Sequence, residues 1–181
     1  MVLGACGRSG NGPVATSSVH QSSTSTERVA TACATSQLKV VLGIANGAMG
    51  HIGQEVHLQN TSTSACTLSG YPSLQLIDGV GKPLATHITD GSDYIVPRIR
   101  VRTVTLAPNG AAAFLIGYAD ATGYGSAQCP KSSSVKIYPP HLTSPLIVAW
   151  HLQPYGGATI ATLRCGEITV SPVAPVGAIK W

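Results

Sequence analysis

Six histidines, seven carboxylates, five cysteines and a short run of arginines are the side chains through which this 181-residue chain could do chemistry. The arginines have the most regular spacing. Arg98, Arg100 and Arg102 recur at every second position, with Ile99 and Val101 between them. On an extended strand this spacing turns three guanidiniums to one face. Such a patch binds anions, for example lipid headgroups or cell-wall polymers. A charged edge strand that blocks aggregation carries the same pattern. Val104 and Leu106 share the arginines' parity, so a bulge or turn must intervene near Arg102-Thr103, or the strand proper begins there.

Other chemistry has weaker support. Met49-Gly50-His51, followed by His57, offers a thioether and imidazoles in a short stretch, a donor set that suits copper. His57 alternates with Val56 and Leu58, however, as a solvent-facing strand residue does, so the histidines read as polar surface residues and no metal site is expected. The acids are Glu27, Glu55, Asp78, Asp90, Asp93, Asp120 and Glu167, and no motif pairs two of them for glycoside hydrolysis. Asp78 precedes a turn glycine, and Asp90-Gly91-Ser92-Asp93 is loop chemistry, too short for an EF-hand calcium loop. No Gly-x-Ser-x-Gly elbow is present. No catalytic residue and no cofactor are therefore expected.

Cys6, Cys33, Cys66, Cys129 and Cys165 contain no Cys-x-x-Cys pair, so zinc spacing is absent. The last four are spread singly, as disulfide partners often are in exported domains. They allow three pairings. Sequential pairing, Cys33 with Cys66 and Cys129 with Cys165, closes two loops of similar length, each worth about 3–4 kcal/mol in the chain-entropy account. Cys6 stands apart. Leu3-Gly4-Ala5-Cys6 is similar to a bacterial lipobox, whose cysteine becomes the acyl attachment point. A charged segment and an apolar run normally precede such a motif, and here only Met1 and Val2 do. A plain free cysteine is the competing reading.

These groups need elements to position them. Residues 1–6 read as the lipobox-like remnant of a signal. Residues 7–30 read as a disordered spacer, since eight of the eleven positions Thr16–Thr26 are Ser or Thr. Residues 31–181 read as one β domain. Charged residues make up only 10% of the chain against about 25% in ordinary domains, and 20 Gly and 12 Pro leave little room for a helix. No run of 18 apolar residues predicts a spanning helix.

Period-two alternation predicts strands near 38–45, 54–60, 73–78, 84–89, 94–96, 102–107, 111–118, 134–138, 146–152 and 167–173. Ala111–Tyr118 and Leu146–Leu152 are apolar on both faces and read as central strands. Turns are expected at Asp78-Gly79, Gly81-Lys82-Pro83 and Pro139-Pro140, and Pro108-Asn109-Gly110 is the clearest hairpin signal. Many short strands at this spacing point to an all-β fold: an antiparallel Ig-like β-sandwich with two disulfides, with a barrel as the alternative.

A set of residues in fixed order carries a resemblance. Cys33 is followed by a strand ending at Asn60, then Cys66-Thr67-Leu68-Ser69-Gly70-Tyr71-Pro72, Asp78-Gly79 and Gly81. Thr105 to Ala111, Cys129, Tyr138-Pro139-Pro140, Cys165-Gly166 and Val170-Ser171-Pro172-Val173 complete it. This order resembles domain-of-unknown-function family 4232 of actinobacterial exported proteins and lipoproteins, from about residue 31 to 175. The resemblance implies an extracytoplasmic β-sandwich with two disulfides, and no catalytic residues.

The expectation is thus a non-catalytic binding module of the bacterial envelope, lipid-anchored through Cys6 or secreted. Its partner would be an envelope protein or a cell-wall polymer, met through loops such as 90–98 and 119–131. A net charge of +4 with few aromatics argues against nucleic acid. A small envelope hydrolase or enzyme accessory, and a periplasmic copper protein, are the alternatives.

Overall fold

The alternating segments fold as strands. A computed structural model describes residues 1–4, 30–119, 132–149 and 167–180. The strands are β1 (Thr31–Ala32), β2 (Leu38–Ala48), β3 (His51–Asn60), β4 (Cys66–Leu68), β5 (Ser73–Ile77) and β6 (His87–Asp90). They continue as β7 (Val104–Leu106), β8 (Ala111–Ala119), β9 (Ser134–Tyr138), β10 (Leu146–Ala149), β11 (Glu167–Val170) and β12 (Ala174–Pro175). A single 3-10 turn, Thr35–Gln37, precedes β2 among the described residues.

Three sheets result. One runs β2-β3-β8-β11-β6 with β12 also on β8; the second is β10-β9-β5 and the third β1-β4-β7. Most pairs are antiparallel. Two are not: β1 with β4 and β11 with β6 run parallel, which corrects the all-antiparallel expectation. In both cases a long stretch of chain separates the partners, as parallel pairing requires.

Alternation decides which side chains turn inward. Val56 and Leu58 of β3, Leu74 and Leu76 of β5, and Val135 and Ile137 of β9 are buried in one cluster that draws on all three sheets. Each such burial contributes about 1.5–3 kcal/mol. Strand β8 is apolar on both sides for a reason the structure supplies. Ala112, Phe114 and Ile116 join the main cluster, while Ala113 and Leu115 face a second one with Val96, Ala174 and Ile179.

The second doubly apolar segment behaves differently. Among the described residues β10 is an end strand, not a central one, with Leu146 and Val148 half-buried and Ile147 exposed. Residues 150–152 of that expectation lie outside the described residues. Residues 94–96 are a bend rather than a strand, because the Asp93 carboxylate accepts the N–H groups of Ile95 and Val96 at 2.9 and 2.7 Å. The strand expected over 84–89 forms at His87–Asp90. β4 lies outside the strands expected from alternation, because three residues are too few for the pattern to register.

The Pro108-Asn109-Gly110 turn closes as expected, with the Gly110 N–H donating to the Ala107 carbonyl at 2.8 Å and Asn109 at φ 63°. It is not a hairpin. β7 pairs with β4 and β8 with β3, so the turn is a corner between sheets. A positive φ at the third turn position alone is type II geometry, which splays strands that a primed turn would pair. The tight two-residue hairpin joins β2 to β3 at Met49-Gly50, where both φ values are positive, 50° and 80°. Its sequence hides it because methionine stands where asparagine is usual.

β2 carries a bulge between Leu42 and Ala45. Gln54, fully buried on β3, donates its amide to the Gly43 and Ile44 carbonyls at 2.9 and 3.2 Å. The bulge therefore keeps partners for carbonyls that the irregular ladder leaves over.

Candidate functional site

Cys33 and Cys66 are joined by a disulfide, and both are buried in the main cluster. They are structural and offer no thiol. Cys6, Cys129 and Cys165 lie outside the described residues, as do loop residues 120–131 and the spacer to residue 29.

The copper donor set does not assemble. Met49 and His51 meet Tyr94 at the tip of the β2–β3 hairpin. The Tyr94 hydroxyl donates to Met49 Sδ at 3.2 Å, and its ring centroid lies 5.6 Å from that of His51. His57 is six residues further along β3, roughly 20 Å away. It stands instead beside Glu55, with Nε2 3.2 Å from Oε1 but outside hydrogen-bond geometry. Among the described residues no group of three or more His, Cys, Asp and Glu could hold a metal.

The arginine run forms no strand. Residues 97–103 are irregular, and β7 begins at Val104, the second of the two outcomes that the parity conflict allowed. The charged-edge-strand reading is therefore corrected. Pro97 lacks an N–H for a ladder, and the segment is held by its apolar members instead. Val96 is fully buried in the second cluster, and Ile95 and Ile99 pack against it. With Ile99 turned inward, its neighbours Arg98 and Arg100 are exposed.

Arg98 and Arg100 line an open hollow of about 760 Å³ together with Tyr71, Asp90 and Ser92. Gly91, Ile99 and Val101 complete its wall. Arg102 is exposed but lies outside this lining, so the hollow takes two of the three arginines. Among the described residues the single ion pair is His57 with Glu55, so neither guanidinium is bound to Asp90.

One short segment fixes two walls of the hollow. Residues Val170 to Val173 run from the last residue of β11. The Val170 carbonyl accepts the N–H of Gly91 at 3.0 Å, which sets the Asp90-Gly91-Ser92 wall. The Val173 N–H donates to the Gly70 carbonyl at 3.0 Å, which sets Tyr71. Between them Ser171 is buried, and its N–H and hydroxyl bond the Leu115 carbonyl and N–H at 3.0 and 2.9 Å. Gly70 has φ 103°, a conformation that a side chain would strain, and a Cβ there would come 3.3 Å from His141 Nε2. Tyr71 is half-buried over the buried, trans-bonded Pro72, in accord with a packed ring and an accessible edge.

The third wall rests on Gly117 of β8. A Cβ at this position would come 2.6 Å from Val96 Cγ2 and 2.8 Å from Ile95 Cγ2. Gly117→Ala is expected to lift the 93–101 segment off the sheet at a cost of about 1–3 kcal/mol. The check is urea unfolding with amide exchange at Ile95 and Val96. Unchanged protection there would show that the segment is held from elsewhere.

Sequence reasoning found Arg98 and Arg100, and it named residues 90–98 as a contact loop. It missed that Tyr71 joins them. The signal was present in Val170-Ser171-Pro172-Val173, but only the fold shows that these four residues tie two distant loops together.

A family model described as Domain of unknown function (DUF4232) matches residues 33–174. No curated protein and no solved structure matches the chain.

Proposed function

The chain belongs to the family of the Domain of unknown function (DUF4232), and from that premise we propose that it is a non-catalytic binding module of the bacterial cell envelope. The observation that carries this reading is the hollow lined by Tyr71, Asp90, Ser92, Arg98 and Arg100. It offers donors, an acceptor and a ring face on anchored loops. Ser92 has no histidine or lysine beside it in the lining to act as a base. Such a lining suits a site that holds a ligand.

The Cys33–Cys66 bond supports a compartment outside the cytoplasm, where disulfides persist. The three sheets around a shared core support an Ig-like β-sandwich. A Cys129–Cys165 bond as its second crosslink is part of the same proposal, on the family resemblance. The partner we favour is a cell-wall polymer. The full chain, mixed with isolated cell walls, is expected to sediment with them. Protein that stays in the supernatant at physiological salt would overturn the binding reading.

Attachment is a separate expectation. Cys6 would carry acyl chains, so the wild-type protein expressed in its native host sediments with membranes, whereas Cys6→Ser appears in the soluble or secreted fraction. Identical fractionation of the two, with no acyl mass on Cys6, would remove the anchor and leave a secreted protein.

A further inference from the structure

Resting on the binding-module reading, we propose that the hollow takes an anionic saccharide, a polyhydroxylated unit that carries a single carboxylate or phosphate. The charge is the first reason. Arg98 and Arg100 present two planar forks on either side of the inward-turned Ile99. Guanidinium forks match carboxylate and phosphate oxygens in bidentate geometry. Among the described residues neither arginine has a carboxylate partner, so both are available to a ligand.

Asp90 gives the second reason. A carboxylate within the same hollow repels a densely charged polyanion but accepts hydrogen bonds from hydroxyl groups. A ligand that has one anionic group and several hydroxyls satisfies both the arginines and Asp90. Ser92 adds a further hydroxyl donor and acceptor. This mixture argues against a lipid bilayer as the occupant, since a membrane-reading surface would gain from an unbroken basic patch, and Arg102 lies outside the hollow.

Shape gives the third reason. Tyr71 brings a half-buried ring, and Ile99 and Val101 bring apolar surface, which suit the C–H faces of a sugar. A volume of about 760 Å³ lies within the range of about 300–1,000 Å³ usual for small-ligand pockets. The Gly70–Val173 and Gly91–Val170 bonds hold two walls in place before any ligand arrives, which reduces the ordering cost of binding.

The test is calorimetric titration of the full chain with four probes: an oligo-uronate, a polyol-phosphate oligomer, a neutral oligosaccharide of equal length, and phosphatidylglycerol vesicles. At least one anionic saccharide is expected to bind roughly tenfold more tightly than the neutral one, and which of the two binds identifies the source of the charge. Arg98→Ala and Arg100→Ala are each expected to weaken that binding by roughly tenfold. Asp90→Asn is expected to weaken it too, while it raises affinity for a heavily sulfated polymer. Neutral and anionic saccharides binding alike, arginine variants binding like wild type, or binding to vesicles alone would each overturn the proposal. If every saccharide fails yet the wild-type chain still sediments with cell walls, the saccharide assignment falls and the binding module stands. If sedimentation fails as well, both fall.

Discussion

Asn60→Leu is expected to destabilise the domain by about 3–5 kcal/mol, the larger of two effects that isolate what holds this fold together. Asn60 ends β3 and is fully buried. Its amide nitrogen donates to the carbonyls of Ser64, Leu106 and Ala107 at 2.8, 3.1 and 3.3 Å, so two protons serve three acceptors. Its amide oxygen accepts from the Ser62 N–H at 2.9 Å and the Ser62 hydroxyl at 2.7 Å. Its backbone joins the same corner, donating to Gly110 at 2.8 Å and accepting from Asn109 at 2.9 Å.

Leucine keeps the branched heavy-atom outline of asparagine and is the larger of the two, so the change leaves no cavity. What it removes is the donor to the buried Leu106 carbonyl and the acceptor of the half-buried Ser62 N–H, each costing about 1–3 kcal/mol where water cannot enter, while the Ala107 carbonyl keeps the Gly110 N–H and the Ser64 carbonyl keeps the Ser62 hydroxyl. For a domain of this size that corresponds to a fall in Tm of roughly 10 °C or more. Urea unfolding gives the free energy, and an unchanged slope would confirm that the native state lost stability and not compactness. A loss below about 1 kcal/mol would mean that solvent reaches the corner.

Asn60 also shows how far the sequence carries and where it stops. Asn60-Thr61-Ser62-Thr63-Ser64 announces a change of chain direction, and the chain bends at residues 62–64, with the Ser62 N–H on the Asn60 amide oxygen. That the same asparagine spans to Leu106 and Ala107 is invisible in sequence, because the contact joins residues 46 and 47 positions apart. The strand alternations were legible for the same local reason: Val56, Leu58, Leu74, Leu76, Val135 and Ile137 each obey a period of two that the neighbouring side chains reveal. Pairing was not. Pro108-Asn109-Gly110 read as a hairpin because it is a turn between two strands, and only the partners of β7 and β8 make it a corner. The arginine run failed as a strand by a rule already written in it, since Val104 and Leu106 could not share a face with three guanidiniums. The hollow was half legible. Arg98 and Arg100 stand out by type and spacing, whereas Tyr71 reaches them through the backbone of Val173, more than a hundred residues away.

The second large effect concerns the disulfide. Cys33→Ala with Cys66→Ala is expected to cost about 3–4 kcal/mol, because the bond closes a loop of 33 residues in the unfolded chain. The loss would not release the N-terminal segment uniformly. At Cys33 the segment is held by the bond itself, by the N–H of Cys33 on the Thr67 carbonyl at 3.0 Å, and by the Thr67 hydroxyl on the Thr31 carbonyl at 3.3 Å. β1 is only two residues long and exposed, so without the crosslink it has little to keep it on β4. Four residues on, Gln37 has its own anchor: its carbonyl accepts the Thr61 N–H at 2.7 Å and the Thr61 hydroxyl at 3.1 Å. The double variant is therefore expected to show fast amide exchange and proteolytic cleavage around residues 30–34 while Leu38 onward stays protected. The measurement is exchange mass spectrometry beside urea unfolding. Reduced protein that keeps the unfolding midpoint of oxidised protein would show that β1 and the core are held without the bond, and the crosslink would then lose its structural role.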